Sequence, residues 1–416
     1  MKKKIWLINH YATDMYFNEG GRHYWFAKNL LQKGYEPTIF CANTRHNAGD
    51  IIEVKSGKYI VKAAGNIPFV FVKTTVYSSN GLDRIINMVT FYKNLFPASK
   101  ENAKLNGKPD IILASSVHPL TLVAGIQIAK KFGIPCICEV RDLWPETFVD
   151  LKIINRNNPI LKLLYAGEKW IYKKADKLIF TMEGGKDYII EKGWDKSHHG
   201  PIDISKVYHI NNGVDLEEFD YNRKHYIIED KDLEDENTFK VVYTGSIRLA
   251  NKVGKIIDAA KLLSDQNVKF LIWGDGDQLE PLRKRIKSEN IRNICFKGRI
   301  DKKYIPYITS KANLNIILYD NVPLFKYGSS SNKMFDSLAS GRPTLFTAKH
   351  RYSIISQYGA GLVMEDNSAE SIAESIMYFK NLNKNDYDKY CINARKAAQD
   401  YDFQNLTKKL LNIIEE

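Results

Sequence analysis

The residues best suited to chemistry stand together in one stretch, Gly-Ser-Ser-Ser-Asn-Lys-Met-Phe-Asp-Ser-Leu-Ala-Ser-Gly-Arg-Pro, from Gly328 to Pro343. A Gly/Ser loop runs into a helix expected over about Asn332–Ser340. Its first-turn N–H groups lack intrahelical partners and so attract anions. Lys333 adds a full positive charge in that turn. Asp336 lies one turn further on, on the side shared by Asn332 and Lys333. A carboxylate there can accept hydrogen bonds from the vicinal hydroxyls of a ribose, while Ser331, Asn332 and Lys333 hold a diphosphate. Gly341 is a natural helix stop and Pro343 opens the next strand. The same residues would also serve as an ordinary Ser-capped helix whose Asp favours the helix dipole.

Two further stretches in the same half carry glycine at a strand end. Gly245-Ser246-Ile247-Arg248-Leu249-Ala250-Asn251-Lys252 reads as a Gly turn leading from a strand into a helix, with Arg248 and Lys252 near the helix start and suited to phosphates. Trp273-Gly274-Asp275-Gly276 ends the next strand, where glycine permits close backbone approach. Together the three predict a nucleotide pocket.

In the first half, Glu19-Gly20-Gly21-Arg22-His23 opens the first helix. It lacks the G-x-G-x-x-G spacing of a dinucleotide site and reads instead as a second phosphate-facing loop. Ser115-Ser116-Val117-His118-Pro119 ends one strand there. Glu139-Val140-Arg141-Asp142-Leu143-Trp144-Pro145-Glu146 ends the next, a density of charge that a core would not hold and that surface ion pairing would also explain.

The elements that must position these residues alternate strand and helix. In the first half, apolar runs predict strands at Lys4–His10, Pro37–Ala42, Phe69–Lys73, Asp110–Ser116, Pro135–Val140, Lys177–Met182 and Val207–Asn211. Periods near 3.6 predict helices at Gly21–Gly34, Pro119–Gly133 and Asn158–Ala175. The second half repeats the theme with strands at Lys240–Thr244, Lys269–Trp273, Ile294–Lys297, Leu314–Tyr319 and Pro343–Thr347. Such alternation predicts an α/β protein with two doubly wound, Rossmann-like parallel-sheet domains, which bind ligands at the carboxyl ends of their strands. The domains are expected at 1–213 and 214–400, with 401–416 a C-terminal helix packing back on the first domain. Val214–Phe239 is acidic and weakly patterned, and Asp230–Glu236 is nearly all charge, so this segment reads as a solvated surface linker.

With 416 residues, 44% apolar and 26% charged, the chain has a globular balance and room for two cores. Its opening Met1-Lys2-Lys3-Lys4 precedes only four apolar residues, too few for a secretory signal, and no apolar run reaches the 18 or so residues of a spanning helix. The expected location is the cytoplasm, peripheral at the inner face of the membrane. Five scattered cysteines argue against a disulfide framework and against zinc. The net charge of +13 is uneven: residues 1–213 hold 30 Lys+Arg and 19 Asp+Glu, or +11, leaving 31 and 29, or +2. This suggests a polyanionic partner for the first half. Leu82–Lys104 mixes Arg84, Lys93 and Lys100 with Ile85, Met88, Phe91 and Phe96, as a helix in an anionic membrane interface would, or as a core-packed helix with solvated lysines would.

The Gly328–Pro343 stretch resembles the donor-site helix of glycosyltransferase family 4, retaining enzymes of the GT-B fold, and within it the sugar transferases of capsule, O-antigen and exopolysaccharide assembly. Ser115–Leu120, Glu139–Thr147, Ala175-Asp176 and Asn211-Asn212-Gly213-Val214-Asp215 are similar to that branch as well. The resemblance implies that Asp336 holds the donor ribose, that Lys333 with Ser331 and Asn332 holds the diphosphate, and that Gly20, Gly21, Gly245, Ser246, Arg248, Lys252 and Gly274 flank it. It places His118 near the transferred sugar, and His118, Glu139, Arg141 and Asp142 on the acceptor side. It implies a UDP-linked sugar as donor, a glycan or polyprenyl-diphosphate-linked acceptor at the membrane, and neither a resident cofactor nor a metal. Two positions depart from the pattern. Gly328 stands where many members carry a carboxylate, and Ser246 and Asn251 occupy the commonest basic positions of the phosphate loop. A UDP-sugar 2-epimerase of the same architecture is the alternative enzyme. A nucleic-acid-binding role has charge alone in its favour, with no stacking motif or helix-turn-helix signal.

Overall fold

The structure, a computed structural model, describes residues 3–45, 51–77, 81–116, 118–150 and 152–416. The chain divides into two compact units, Met1–Asn211 with Leu406–Glu416, and Asn212–Asn405.

The first unit is built on eight strands: β1 (Lys4–Ile8), β2 (Glu36–Ala42), β3 (Tyr59–Ala64), β4 (Ile67–Val72), β5 (Ile111–Ser115), β6 (Cys136–Val140), β7 (Lys177–Phe180) and β8 (Val207–His209). Their order in the sheet is β3-β4-β2-β1-β5-β6-β7-β8. Every neighbouring pair is parallel except β3 with β4. The central strands are covered on both faces, which is why Ile5–Ile8 and Ile111–Ala114 are unbroken apolar runs, all buried. The helices Arg22–Gln32, Leu82–Asn106, Pro119–Phe132 and Ile160–Lys174 make the crossovers. Gly125 lets one of them lie close on the sheet: a Cβ there would stand 2.5 Å from Cβ of Ala114. The chain reverses at Gly133, left-handed at φ 67°, whose N–H returns to the carbonyls of Ala129 and Lys130. β3 was not expected from the sequence, because it is an exposed edge strand with a lysine in its middle and carries no apolar run.

The second unit holds β9 (Phe239–Thr244), β10 (Val268–Trp273), β11 (Ile294–Gly298), β12 (Leu314–Ile317), β13 (Thr344–Phe346) and β14 (Gly361–Val363), in the order β11-β10-β9-β12-β13-β14 and parallel throughout. Winding reverses between β9 and β12, and the crevice at such a reversal is where open α/β sheets take ligands.

Val214–Phe239 is not a solvated linker. It carries the helix Leu216–His225, capped by Asp215 accepting from the Glu218 N–H at 2.8 Å, with Phe219 buried. A second short helix, Lys231–Glu234, is capped by Asp230 and buries Leu233. The acidic run is neutralised from the adjoining strands and helix. Lys297 of β11 meets Asp230 at 2.6 Å and Asp232 at 2.7 Å, Lys269 of β10 also pairs with Asp232, and Lys311 meets Glu234 at 2.8 Å. Composition alone shows the acids and not the lysines waiting for them.

The last helix, Phe403–Glu415, enters the first unit at Leu406. It buries Leu406, Leu410, Leu411, Ile413 and Ile414 there, and Lys177 donates to the carbonyl of Ile413 at 2.5 Å. Among the described residues no helix is long and apolar enough to cross a membrane.

Candidate active site

In the second unit, the loops after β9, β10 and β11 are zipped together by backbone bonds: Gly245 N–H to the Trp273 carbonyl at 2.9 Å, Ile247 N–H to Asp275 at 2.8 Å, and Gly274 N–H to Gly298 at 2.8 Å. Packing this tight needs bare backbone. A Cβ on Gly274, at φ 154°, would fall 1.8 Å from the Gly245 carbonyl oxygen. Gly245, at φ 147°, is required for another reason: its missing Cβ would stand 2.2 Å from Cε of Lys333. The glycine turn after β9 is therefore the floor over which the Lys333 side chain passes.

Lys333 lies in the helix Asn332–Ala339, which starts after the loop that follows β12. Its Nζ donates to the Tyr243 hydroxyl at 2.9 Å and sits 4.7 Å over that ring, and Tyr243 in turn donates to the Ser246 carbonyl at 2.7 Å. These are neutral partners, and burial pulls the ammonium down to about 8. Ser331 occupies the N-cap position, but its side chain makes no capping bond and instead takes a hydrogen bond from the Tyr319 hydroxyl at 3.3 Å. The alternative of an ordinary Ser-capped helix is thus not what forms. Asn332 is exposed at the first helical position. Asp336 is half-buried, and its carboxylate has no ion pair or hydrogen bond among the described residues. Burial raises its pKa, against a weaker opposing pull from Lys302. Among the described residues, a cation whose only hydrogen bond is to a phenol and a carboxylate with neither hydrogen bond nor ion pair share one helix at the β9/β12 reversal.

The rest of the expected phosphate loop is arranged differently. Between Gly245 and the helix Gly254–Leu262 lies a short 3-10 turn, Leu249–Asn251. Lys252 ends that turn in the left-handed region at φ 49°, just ahead of the helix start as expected, and its ammonium meets Asp320 at 3.1 Å. Ser246 is exposed and donates to Asn251 at 2.8 Å, and Arg248 is exposed.

In the first unit the winding reverses between β1 and β5, and there His10 and His118 meet, Nδ1 to Nε2, at 2.6 Å. Both are buried, and desolvation drops His118 to about 3, so it is neutral; its Nδ1 finds no hydrogen-bond partner among the described residues. Val117, beside it, lies outside the described residues.

Glu139 is not an exposed acceptor-side group. It is fully buried and takes hydrogen bonds from Arg22 at 2.7 and 2.8 Å, from His23 Nε2 at 3.1 Å and from Ser115 at 2.8 Å. Burial alone would raise its pKa, but the Arg22 guanidinium and His23 hold it well below the usual carboxylate range. Asn9 donates to His23 Nδ1 at 3.0 Å, which places the ring proton on Nε2, facing Glu139. Arg22 also reaches the carbonyls of Ile210 at 2.8 Å and Asn211 at 2.6 Å. Arg22 and His23 therefore point inward, which leaves the expected phosphate contact of this turn to the backbone of Gly20 and of Gly21, at φ 108° the N-cap of a helix without side-chain capping. Glu146 is likewise occupied, by Lys192 at 2.5 Å and Arg156 at 3.0 Å. Arg141 is half-buried with no hydrogen bond or ion pair to its guanidinium among the described residues, and Asp142 is exposed. The sequence reading missed His10, Tyr243 and Tyr319. Only the strand order brings His10 to His118, and nothing in the spacing of 108 residues announces it.

The family described as "Glycosyltransferase Family 4" matches residues 24–218, and that described as "Glycosyl transferases group 1" matches residues 227–397. No curated protein matches the chain. Among solved structures, sucrose-phosphate synthase from Thermosynechococcus elongatus superposes with a TM-score of 0.71 at 14% identity, covering 100% of this chain and 98% of that one. HepE from Anabaena, solved in complex with UDP and glucose, gives 0.64 at 13% identity with 100% of both chains covered. The α,α-trehalose 6-phosphate synthase from Burkholderia multivorans gives 0.69 at 11%, covering 100% and 98%. The shared feature at these identities is the GT-B fold.

Proposed function

Because this chain belongs to the family 4 glycosyltransferases, with the GT-B fold, we propose that it is a retaining hexosyltransferase. It moves a sugar from UDP to a glycan or polyprenyl-diphosphate-linked acceptor at the membrane, in the assembly of a surface polysaccharide. The observation that carries the donor half is the pairing of unspent charges at the β9/β12 reversal, where among the described residues Lys333 has only Tyr243 and Asp336 has no hydrogen bond or ion pair. Asp336 accepts from the ribose hydroxyls. Lys333 and the N–H groups of the first helical turn receive the diphosphate. The UDP complex of the structurally similar HepE supports UDP as the nucleotide.

In the transfer, the bond from sugar C1 to the diphosphate oxygen breaks. The acceptor hydroxyl oxygen bonds C1 on the same face, and its proton passes to the departing phosphate oxygen. Negative charge grows on the diphosphate as this happens, so a fixed ammonium beside it lowers the barrier. No resident cofactor or metal is needed for this step, since Lys333 and the helix terminus supply the positive field. His118, neutral and aimed by His10, and the free guanidinium of Arg141 serve the acceptor side.

A thermal-shift series with UDP, GDP and dTDP tests the reading. A nucleotide at 100 times its Kd stabilises by about 2.7 kcal/mol. UDP is expected to give the largest shift, and no shift with any of the three would overturn the donor site. An epimer formed from UDP-sugar in the absence of acceptor would reassign the chain to the 2-epimerases.

A further inference from the structure

In the first unit an open groove of about 400 Å³ runs between the Pro119–Phe132 and Ile160–Lys174 helices. Its walls are overwhelmingly apolar: Leu122, Val123, Trp144, Leu164 and Ile171 line it, and Leu163 and Trp170 flank it at 72% and 39% exposure. Leu163 and Trp170, large apolar side chains left in water at the rim of this groove, mark a surface meant to be covered. Ser116 and Asp142, at the C-terminal ends of β5 and β6, also belong to the lining, so the groove reaches from the outer face to the sequence neighbourhood of His118. Glu168 is buried there, bound by the hydroxyls of Tyr172 at 2.7 Å and Tyr188 at 2.8 Å, and burial pushes it up to about 8.

Gly167 supplies a second, independent observation. It stands in the middle of a fifteen-residue helix, where glycine is unfavourable. Close packing does not explain it, since a Cβ there would meet no atom within 4 Å. Its only structural consequence is that the groove stays open at that point. Lys162, Lys169 and Lys173 form a stripe one step round the same helix, none of them ion-paired among the described residues. An apolar channel edged by unspent ammonium groups suits a long hydrocarbon chain whose head carries phosphate.

We propose that this groove binds the isoprenoid chain of the lipid-linked acceptor, with the diphosphate-sugar head delivered to the ends of β5 and β6 beside His118. The proposal rests on the reading of the first unit as the acceptor side. It adds the lipid tail as a recognised part of the substrate, with Gly167 as the residue that admits it.

The experiment is a calorimetric binding series on the full chain with dimethylallyl, geranyl and farnesyl diphosphate, which share one head and differ in tail. Affinity is expected to rise with every added isoprene unit in the wild type. In Gly167→Phe, whose Cβ would meet no atom within 4 Å, the series is expected to flatten, with at least a tenfold loss for farnesyl diphosphate. Leu163→Ser, at an exposed position, provides the same readout should the first variant fold poorly. UDP binding is measured in parallel and is expected to be unchanged in both variants. Normal UDP binding without chain-length dependence in the wild type, or with equal dependence in both variants, would overturn the groove assignment while leaving the donor reading intact. Loss of UDP binding by the wild type would instead strike that reading. A dimer dissolved by Leu163→Ser, or attachment to phosphatidylglycerol vesicles abolished by Gly167→Phe, in the absence of chain-length dependence, would give the groove to another occupant and overturn the proposal.

Discussion

The two sheets of this protein reverse their winding in the same way and treat charge at the reversal in opposite ways. At β1/β5 the buried pair Arg22 and Glu139 is answered within the unit, while Arg141 nearby has no hydrogen bond or ion pair to its guanidinium among the described residues. Glu139 has Arg22, His23 and Ser115; Arg22 has Glu139 and two carbonyls besides; burial lowers the pKa of His23 and of His118, and His10 is bonded to His118 and His23 to Asn9. At β9/β12 two charges are left open among the described residues: Lys333 donates to a phenol, and Asp336 has no hydrogen bond or ion pair, only a weaker pull from Lys302. A buried pair whose bonds are complete holds a fold in one arrangement, and breaking it strands a charge. A desolvated charge without a counter-ion weakens the fold slightly and keeps its binding capacity for a ligand. Types of residue do not distinguish the two sites, since each offers a carboxylate and a cation. What distinguishes them is whether the protein has already used those groups on itself.

The comparison can be broken most forcefully from the first unit. Glu139→Ala leaves Arg22 buried without its counter-ion, and such losses cost about 3–5 kcal/mol. Urea unfolding is expected to show that destabilisation in the first unit, with UDP affinity preserved in whatever fraction stays folded. A variant as stable as the wild type would mean that the network is decorative.

At the other reversal the same kind of change should spare the fold and remove the ligand. Lys333→Ala and Asp336→Ala each delete a charge-assisted hydrogen bond to the nucleotide, worth about 1.5–3 kcal/mol, so UDP affinity should fall tenfold or more in each. Melting temperatures without ligand should hold or rise, because each variant removes a partly buried charge that lacks a counter-ion. Wild-type UDP affinity in both would empty the donor-site assignment.

How much of this was legible in the sequence follows the same line. The strands of both sheets were legible because parallel strands covered on two faces must be apolar without interruption, as Ile5–Ile8 and Phe270–Trp273 are. The edge strand β3 and the short β14 carry no such run and were not. The donor helix was legible because its chemistry is local: Ser331, Asn332, Lys333 and Asp336 lie within six residues, so spacing alone fixes their relation. Glu139 was misread, and so was the acidic run from Asp230. Both depend on partners far along the chain, Arg22 in one case and Lys269, Lys297 and Lys311 in the other. A charge looks equally free in a sequence whether or not a distant strand will answer it. Lys252 shows this on a smaller scale: the phosphate-loop pattern shows the lysine and not Asp320, which pairs with it at 3.1 Å.

The open lysine gives the comparison a pH signature. Burial holds Lys333 at about 8, well under the ordinary 10.5, so the free protein begins to lose this charge in mildly alkaline solution. A bound diphosphate favours the protonated form and raises the pKa. Affinity for UDP should therefore be flat below about pH 8 and fall above it, by up to tenfold per unit, about 1.4 kcal/mol. The fall ends when pH passes the raised value in the complex. Lys333→Ala should show no such decline. A wild-type profile flat to pH 10 would show that Lys333 does not face the diphosphate.

The smallest effect concerns the outer face of the first unit, where the Leu82–Asn106 helix divides along its length. Phe91, Leu95 and Ala98 are buried against the unit, and Arg84 is bound to the Tyr11 hydroxyl at 2.9 Å, so the helix is neither wholly membrane-facing nor free to lie flat in an interface. Its first turns nevertheless expose Leu82 at 76%, with Ile85 and Ile86 beside it, while Lys93 and Lys100 are exposed further on. Apolar tips with ammonium groups behind them can meet an anionic bilayer edge-on, the side chains entering the headgroup layer and the lysines paired with phosphates. Each lysine near such a surface contributes about 1 kcal/mol. Reversing both in Lys93→Glu/Lys100→Glu should therefore reduce co-sedimentation with phosphatidylglycerol vesicles at low salt by well over tenfold. Phosphatidylcholine vesicles should show little difference, and UDP affinity should be untouched. Because the attraction is screened within about 8 Å at physiological ionic strength, raising salt should bring wild type and variant together. Equal sedimentation of the two at low salt would mean that these lysines are only solvated, and would leave the excess positive charge of residues 1–213 without this surface as its reason.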